Sequence, residues 1–221
     1  MPELREPGEL LHPGQIFNSN RAMLRASLDA CRWAEVLDFG IVPDTRAAIA
    51  ATLADAAARC DAIITTGGVS AGEEDHVTWA VGSSGGMLDV MKVAMRPGKP
   101  VKVGRLGPAL FLGLPGNPNA TLVTFRMIAL PALRRLAGLS NTAPIWAQAV
   151  ADFTYEKRPD RTEFVPVRLA AAGSDGLPRL TMLGRGSSAS LRAISQSDGI
   201  VLLPPGVNRV EPGMRVAFEA I

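Results

Sequence analysis

Three stretches of this chain place chemically capable residues directly after apolar runs. The first is TTGGVSAGEED, Thr65 to Asp75, which follows DAIITT and passes from two glycines through a serine into Glu73, Glu74 and Asp75. Glycines at the end of a strand let the backbone approach a ligand and can aim N–H groups at an anion; the competing reading is a tight turn. The second is LGLPGNPNAT, Leu112 to Thr121. Pro115 and Pro118 stiffen the path, Gly116 permits close approach and Asn117 can recognise polar groups, although proline at a first helical position explains part of the pattern. The third is MKVAMRPGKPVKVGR, where Lys92, Arg96, Lys99, Lys102 and Arg105 put five cations into fourteen residues. Such a run is ordinarily a solvated strand face, yet its Pro-Gly turn lets Lys92, Arg96 and Lys99 converge on a phosphate or another oxyanion.

Acids stand opposite these cations on separate loops: Glu3, Asp44 and Asp75. Carboxylates beside a bound phosphate repel it unless a hard cation lies between, and Mg²⁺ takes one or two carboxylates plus substrate oxygens. Glu73 and Glu74 have a simpler explanation, since acids in a first helical turn favour the helix dipole.

The elements that must hold these loops follow from periodicity. Met23, Leu24, Leu28 and Cys31 recur at helical steps from Asn20 to about Ala34, with Asn18 or Ser19 placed to cap. EVLDFGIV, Glu35 to Val42, reads as a strand, and Asp44 opens an alanine-rich helix. DAIITT is the next strand, EDHVTWAV the next helix, and VKVGRL and ALFLGLP are strands separated by Gly107-Pro108. A helix from Pro118 to about Ala137 is kinked or split at Pro131. This alternation predicts a doubly wound α/β domain with a mostly parallel sheet over residues 1–142, opening unusually without its first strand. Ligands of such sheets bind outside the carboxyl ends of the strands, where the three loops fall. From 143 to 221, AQAVADF, TEFVPVRLAA, LPRLTML, GIVLLP and GMRVAFEA predict a small, mostly β domain that leans on its neighbour.

Composition narrows the function classes. The chain has 221 residues, 47% apolar content and a net charge of +2 from 23 basic and 21 acidic residues. Interspersed charges and few aromatics argue against nucleic acid as a partner. No run of about 18 uncharged apolar residues occurs, so no membrane span is expected, and no secretory signal is visible. Cys31 and Cys60 are expected as reduced thiols, which fits the cytoplasm, and two histidines are too few for a Cys/His zinc site.

PELREPG, GQIFNSNR, DFGIVPDT, TTGGVSAGEEDHV, KVAMRPGKP and GLPGNP, followed by RTEF and GRGSS, together resemble the MoeA-like molybdopterin molybdenumtransferase family along essentially the whole chain. The resemblance implies an enzyme of molybdenum cofactor biosynthesis that inserts molybdenum from molybdate into adenylylated molybdopterin and releases AMP with a divalent cation, Mg²⁺. It implies that Glu3 and Asp75 hold metal and phosphate, and that Asp44 is a further functional acid. Gly67, Gly68 and Ser70 would line the nucleotide and pterin pocket. Lys92, Arg96 and Lys99 would meet anionic oxygens, Pro115, Asn117 and Pro118 would shape the wall, and Arg161 and Ser187 would lie near molybdate. A homodimer and a molybdopterin adenylyltransferase partner are implied at the level of the full-length family.

Departures from the family pattern open a second reading. Asn119 and Ala120 replace a frequent Val-Ser, Arg96 stands where lysine is frequent, and a Ser-Thr-Gly-Asp-like run before the glutamate is represented only from Pro2 onward, without two upstream domains. A non-catalytic molybdopterin- or nucleotide-binding module is therefore the alternative. An adenylyltransferase shares the glycine loop, but the trailing β domain argues against it.

Overall fold

In the computed structural model, the structure describes residues 3–68, 76–184 and 191–221. A two-stranded parallel pair, β1 (Leu4–Arg5) with β2 (Ile16–Phe17), leads into helix α1 (Ser19–Asp29). Asn18 caps α1, its side chain accepting from Arg21 N. Helix α2 (Arg46–Arg59) is followed by strand β3 (Ala62–Thr66), helix α3 (His76–Ser83), strand β4 (Met87–Lys92) and the short β5 (Met95–Arg96). The hairpin β6 (Pro100–Leu106) and β7 (Ala109–Leu114) turns at Gly107-Pro108, where Gly107 takes a φ of 57°.

These strands form a four-stranded sheet in the order β3-β7-β6-β4, parallel between β3 and β7 and antiparallel at the other two pairings. Alternation along β7 divides the core. Leu112 and Leu114 face Leu24, Phe125 and Leu133 on one side, while Phe111 faces Leu53, Ala56, Ala80 and Val81 on the other. The sheet is covered by helices on both faces, so β7 is almost wholly buried and β6 is exposed only at Arg105.

Helix α4 (Pro118–Thr124) passes through a π-helical turn at Phe125–Ala129 into α5 (Leu130–Leu136). Pro131 lies in the first turn of α5; it has no N–H to donate backward, and the widened turn accommodates that loss.

The remaining strands are β8 (Ala147–Ala151), β9 (Tyr155–Glu156), β10 (Thr162–Ala172), β11 (Pro178–Met182), β12 (Gly199–Leu203), β13 (Arg209–Val210) and β14 (Arg215–Ala220), with helix α6 (Leu191–Ser195) before β12. β10, β12, β14, β8 and β11 pair in turn, and β11 pairs back onto β10, which closes a five-stranded barrel. Closure removes the exposed edges that a small sheet would otherwise present. Its interior is filled by Val165, Val167, Leu180, Val201, Leu203 and Phe218.

The two units share a junction. β5 pairs in parallel with the start of β10, and Met95 and Val123 pack against Phe164 and Ile200. Arg126 Nη2 donates to Glu219 Oε1 at 2.7 Å across the same junction.

Several sequence expectations need correction. Glu35–Val42 forms no strand: β3 ends the sheet on that side among the described residues, and an extended segment with no ladder to join has no strand hydrogen bonds. Thr45, not Asp44, caps α2, its Oγ1 accepting from Ala48 N at 3.3 Å. β4 is a strand that the sequence reading does not include. Lys102, read as part of a solvated face, is only 1% exposed.

Candidate active site

The carboxyl ends of β3 and β7 lie side by side, and the two informative loops leave from them. Gly67 N donates to Leu114 O at 3.0 Å, tying the first step of the glycine loop to the last residue of β7. Gly67 and Gly68 take φ values of 81° and 64°, conformations that favour glycine, and a Cβ on Gly68 would lie 3.0 Å from the Val77 side chain. A Cβ on Gly116 would lie 3.4 Å from Gly67 Cα, so the two glycine loops approach backbone to backbone.

Two side chains from elsewhere pin this approach. Asn20, buried in the first turn of α1, donates from Nδ2 to Gly116 O at 2.7 Å. Lys102, in β6, donates from Nζ to Gly68 O at 2.7 Å. The strand register explains its reach: Lys102 pairs with Gly113 and Gly113 with Thr65, so the lysine crosses the sheet over a residue that has no side chain. Burial pulls the Lys102 ammonium down to about 8. Thr121 Oγ1 donates to Pro115 O at 2.6 Å and also lies 2.9 Å from Asn117 O. The wall formed by Pro115, Asn117 and Pro118 is thereby held from inside α4.

On the other side of α4's first turn the cationic loop meets the barrel. Val93 N donates to Lys99 O at 3.0 Å, closing the turn, and the β5–β10 register sets Arg96 beside Glu163. Glu163 is 1% exposed. Its carboxylate accepts from Tyr155 Oη at 2.8 Å and Arg161 Nε at 3.3 Å, with Arg96 Nη1 at 3.7 Å. Burial and the bond to Glu163 push the Tyr155 phenol up to about 12. A small cavity at this point is lined by Arg96, Pro97, Asn119, Tyr155 and Glu163. Asn119 is buried, and among the described residues its Oδ1 has no hydrogen-bond partner.

The expected site residues therefore divide. Gly67, Gly68, Pro115, Asn117 and Pro118 share one rim, and Arg96 and Arg161 share Glu163 close by. Lys92 and Lys99 are exposed at the ends of the same cationic turn. Glu3 is exposed next to β1; its carbonyl accepts from Ile16 N, and the chain continues through Asn18 to Asn20 and hence to Gly116. Asp44 is exposed just before α2, and among the described residues no hydrogen bond or ion pair joins its side chain to another candidate. Ser70, Asp75 and Ser187 lie outside the described residues.

The Glu3 carboxylate is a hard oxygen donor of the kind Mg²⁺ takes. Among the described residues no group of three or more His, Cys, Asp or Glu could hold a metal ion. Lys102 was named only as one cation of a run, and three further residues were not anticipated: Asn20, Tyr155 and Glu163. Asn20 and Glu163 sit inside the motif stretches GQIFNSNR and RTEF, which was the available signal; Tyr155 had none.

The chain combines an α/β sheet, with glycine-bearing loops leaving the ends of its parallel strands, and a closed β barrel. A family profile described as a probable molybdopterin binding domain matches residues 8–135, and one described as the MoeA C-terminal region, domain IV, matches 148–221. The chain belongs to the MoeA-like molybdopterin-binding family. The molybdopterin molybdenumtransferase of a Nostoc species is 36% identical over 211 residues, covering 93% of this chain and 48% of that protein. That of Haemophilus influenzae is 38% identical over 163 residues, covering 73% and 40%. A solved MoeA protein from Pyrococcus horikosii shares the fold, with a TM-score of 0.80 at 24% identity over 99% of this chain and 51% of its own. The chain spans about half the length of the curated relatives it matches. No helix among the described residues is long and apolar enough to cross a membrane.

Proposed function

We propose that this chain carries the substrate-holding half of a molybdenumtransferase, in which molybdenum from molybdate enters the dithiolene of adenylylated molybdopterin and AMP is released. The observation that supports this best is the single rim formed by Gly67, Gly68 and the Pro115–Pro118 turn, with Arg96 lining a cavity beside Asn119 of the following helix and Arg161 bonded to Glu163 of that cavity. Backbone at two left-handed glycines accepts a flat or phosphorylated ligand at close range, and the guanidinium groups give planar, charge-assisted hydrogen bonds to anionic oxygens.

In this reading Gly67, Gly68 and Ser70 line the nucleotide and pterin pocket, and Pro115, Asn117 and Pro118 form its wall. Lys92, Arg96 and Lys99 bind anionic oxygens, and Arg161 and Ser187 face molybdate. Glu3 and Asp75 would hold Mg²⁺, which offsets phosphate charge when bound, and Asp44 is a further acid of the site. The full-length protein is a cytoplasmic homodimer that receives its substrate from a molybdopterin adenylyltransferase.

AMP release tests this. Molybdate and Mg²⁺ are added to adenylylated molybdopterin with the chain alone and with the chain joined to the preceding half of the Nostoc relative. Acceleration by the joined form is expected; no acceleration by either would contradict the proposal.

A further inference from the structure

We propose that Glu163 is a positioning residue: it holds Arg96 of the α/β domain and Arg161 of the barrel at one point, so that both guanidinium groups present their remaining N–H groups to a single anionic ligand. The inference rests on the reading of Arg96 and Arg161 as oxyanion contacts and adds the residue that aims them.

The geometry carries it. Glu163 is 1% exposed, and a buried carboxylate requires partners on both oxygens. Among the described residues Arg161 bonds Glu163 through Nε, at 3.3 Å from Oε1, a bond that does not take up its two terminal nitrogens. Arg96 approaches Oε2 through Nη1 at 3.7 Å, while Tyr155 Oη occupies that oxygen more closely at 2.8 Å. The arginine side chains stay 46% and 27% exposed, so their outer edges reach solvent. Two guanidinium groups against one carboxylate leave the cluster with a net positive charge, and it still attracts an anion.

The tyrosine fixes the direction of the carboxylate. Its phenol stays protonated well above neutral pH, so it donates permanently to Oε2 and keeps the carboxylate plane turned toward the two arginines. The backbone adds a second constraint, since Glu163 and Arg96 are register partners in the parallel β5–β10 pairing. One side chain thus joins the two domains and orients a cation from each.

Calorimetric titration with molybdate alone, and separately with AMP alone, tests the role in wild type, Glu163→Gln, Tyr155→Phe and Arg161→Ala. Wild type is expected to bind molybdate and Arg161→Ala to lose it. Glu163→Gln keeps the shape but turns an N–H₂ toward a guanidinium; its molybdate Kd rises about tenfold, while its Kd for AMP stays unchanged. Tyr155→Phe raises the molybdate Kd a few-fold in the same direction, and this variant reports even if Glu163→Gln folds poorly. Unchanged or tighter molybdate binding in folded Glu163→Gln overturns the inference, as does an equal loss of molybdate and AMP binding, which marks a purely structural role. Wild type that binds no molybdate refutes the oxyanion reading of the two arginines, and the inference with it.

Discussion

Lys102 Nζ donates to the Gly68 carbonyl at 2.7 Å, across a strand position occupied by Gly113. A buried ammonium thus holds the first turn of the glycine loop from beneath, and it does so at a cost. Its folded pKa of about 8 lies below the ordinary 10.5, because burial disfavours the charged form. Below pH 8 the folded and unfolded chains both carry the proton and the cost is constant. Between about 8 and 10.5 the unfolded chain holds more protons, so stability rises with pH.

Unfolding of wild type and Lys102→Met by guanidinium at pH 7 and pH 10 measures that cost. Wild type should gain on the variant by up to roughly 3 kcal/mol between the two conditions. Tyr155 titrates in both proteins, so its contribution cancels in the difference. A difference independent of pH would show that Lys102 is not a desolvated cation.

Arg126 and Glu219 clasp the two domains, with Arg126 Nη2 also donating to Ala220 O at 3.0 Å. Glu219 is 7% exposed. Removing only the arginine leaves a buried carboxylate unpaired, so Arg126→Ala should lose about 3 kcal/mol of unfolding free energy. The double variant Arg126→Met with Glu219→Gln should recover most of it. If Arg126→Ala melts like wild type, the pair does not hold the junction.

Asn20 tests the second pin on the loops. Asn20→Ala removes the bond to Gly116 O and frees the glycine turn to drift from Gly67. The stability loss should be about 1 kcal/mol, while the Kd for adenylylated molybdopterin rises by about tenfold or more. Equal affinity in the two proteins would mean that the Gly116 turn is not part of the binding rim.

Leu112 gives the contrasting case. It is fully buried inside β7 against Leu24 and Phe125, with its side chain in the core and not at the rim. Leu112→Ala should cost about 2 to 5 kcal/mol by cavity formation. At a temperature where it remains folded, ligand affinity should match wild type; a selective loss of affinity would place the site elsewhere.

Local signals made much of this architecture legible. Gly107-Pro108 between two apolar runs marked the β6–β7 hairpin, and Pro131 marked the break between α4 and α5, because each acts through its own backbone. The closed barrel was not legible, since closure depends on β11 pairing back to β10 rather than on any one strand's pattern. Glu35–Val42 has a strand's composition but no pairing partner among the described residues, and its Asp38 instead bonds Arg21, whose guanidinium holds that carboxyl below the ordinary range. Lys102 misled for a related reason. Alternation in VKVGRL suggests one wet face, yet helices cover both faces of the sheet, and the second face needed the fold to be seen. The glycine and proline loops were visible as residue types. The meeting of Arg96 and Arg161 on one carboxylate required the β5–β10 pairing, which the sequence does not mark.

Titration of adenylylated molybdopterin into the chain most directly tests whether the rim of β3 and β7 is a pterin-nucleotide site. Wild type should show saturable binding of one ligand per chain, and a Lys99→Ala, Asn117→Ala double variant with an unchanged melting temperature should lose at least tenfold in affinity. Binding that is absent from wild type, or equally strong in the double variant, would contradict it.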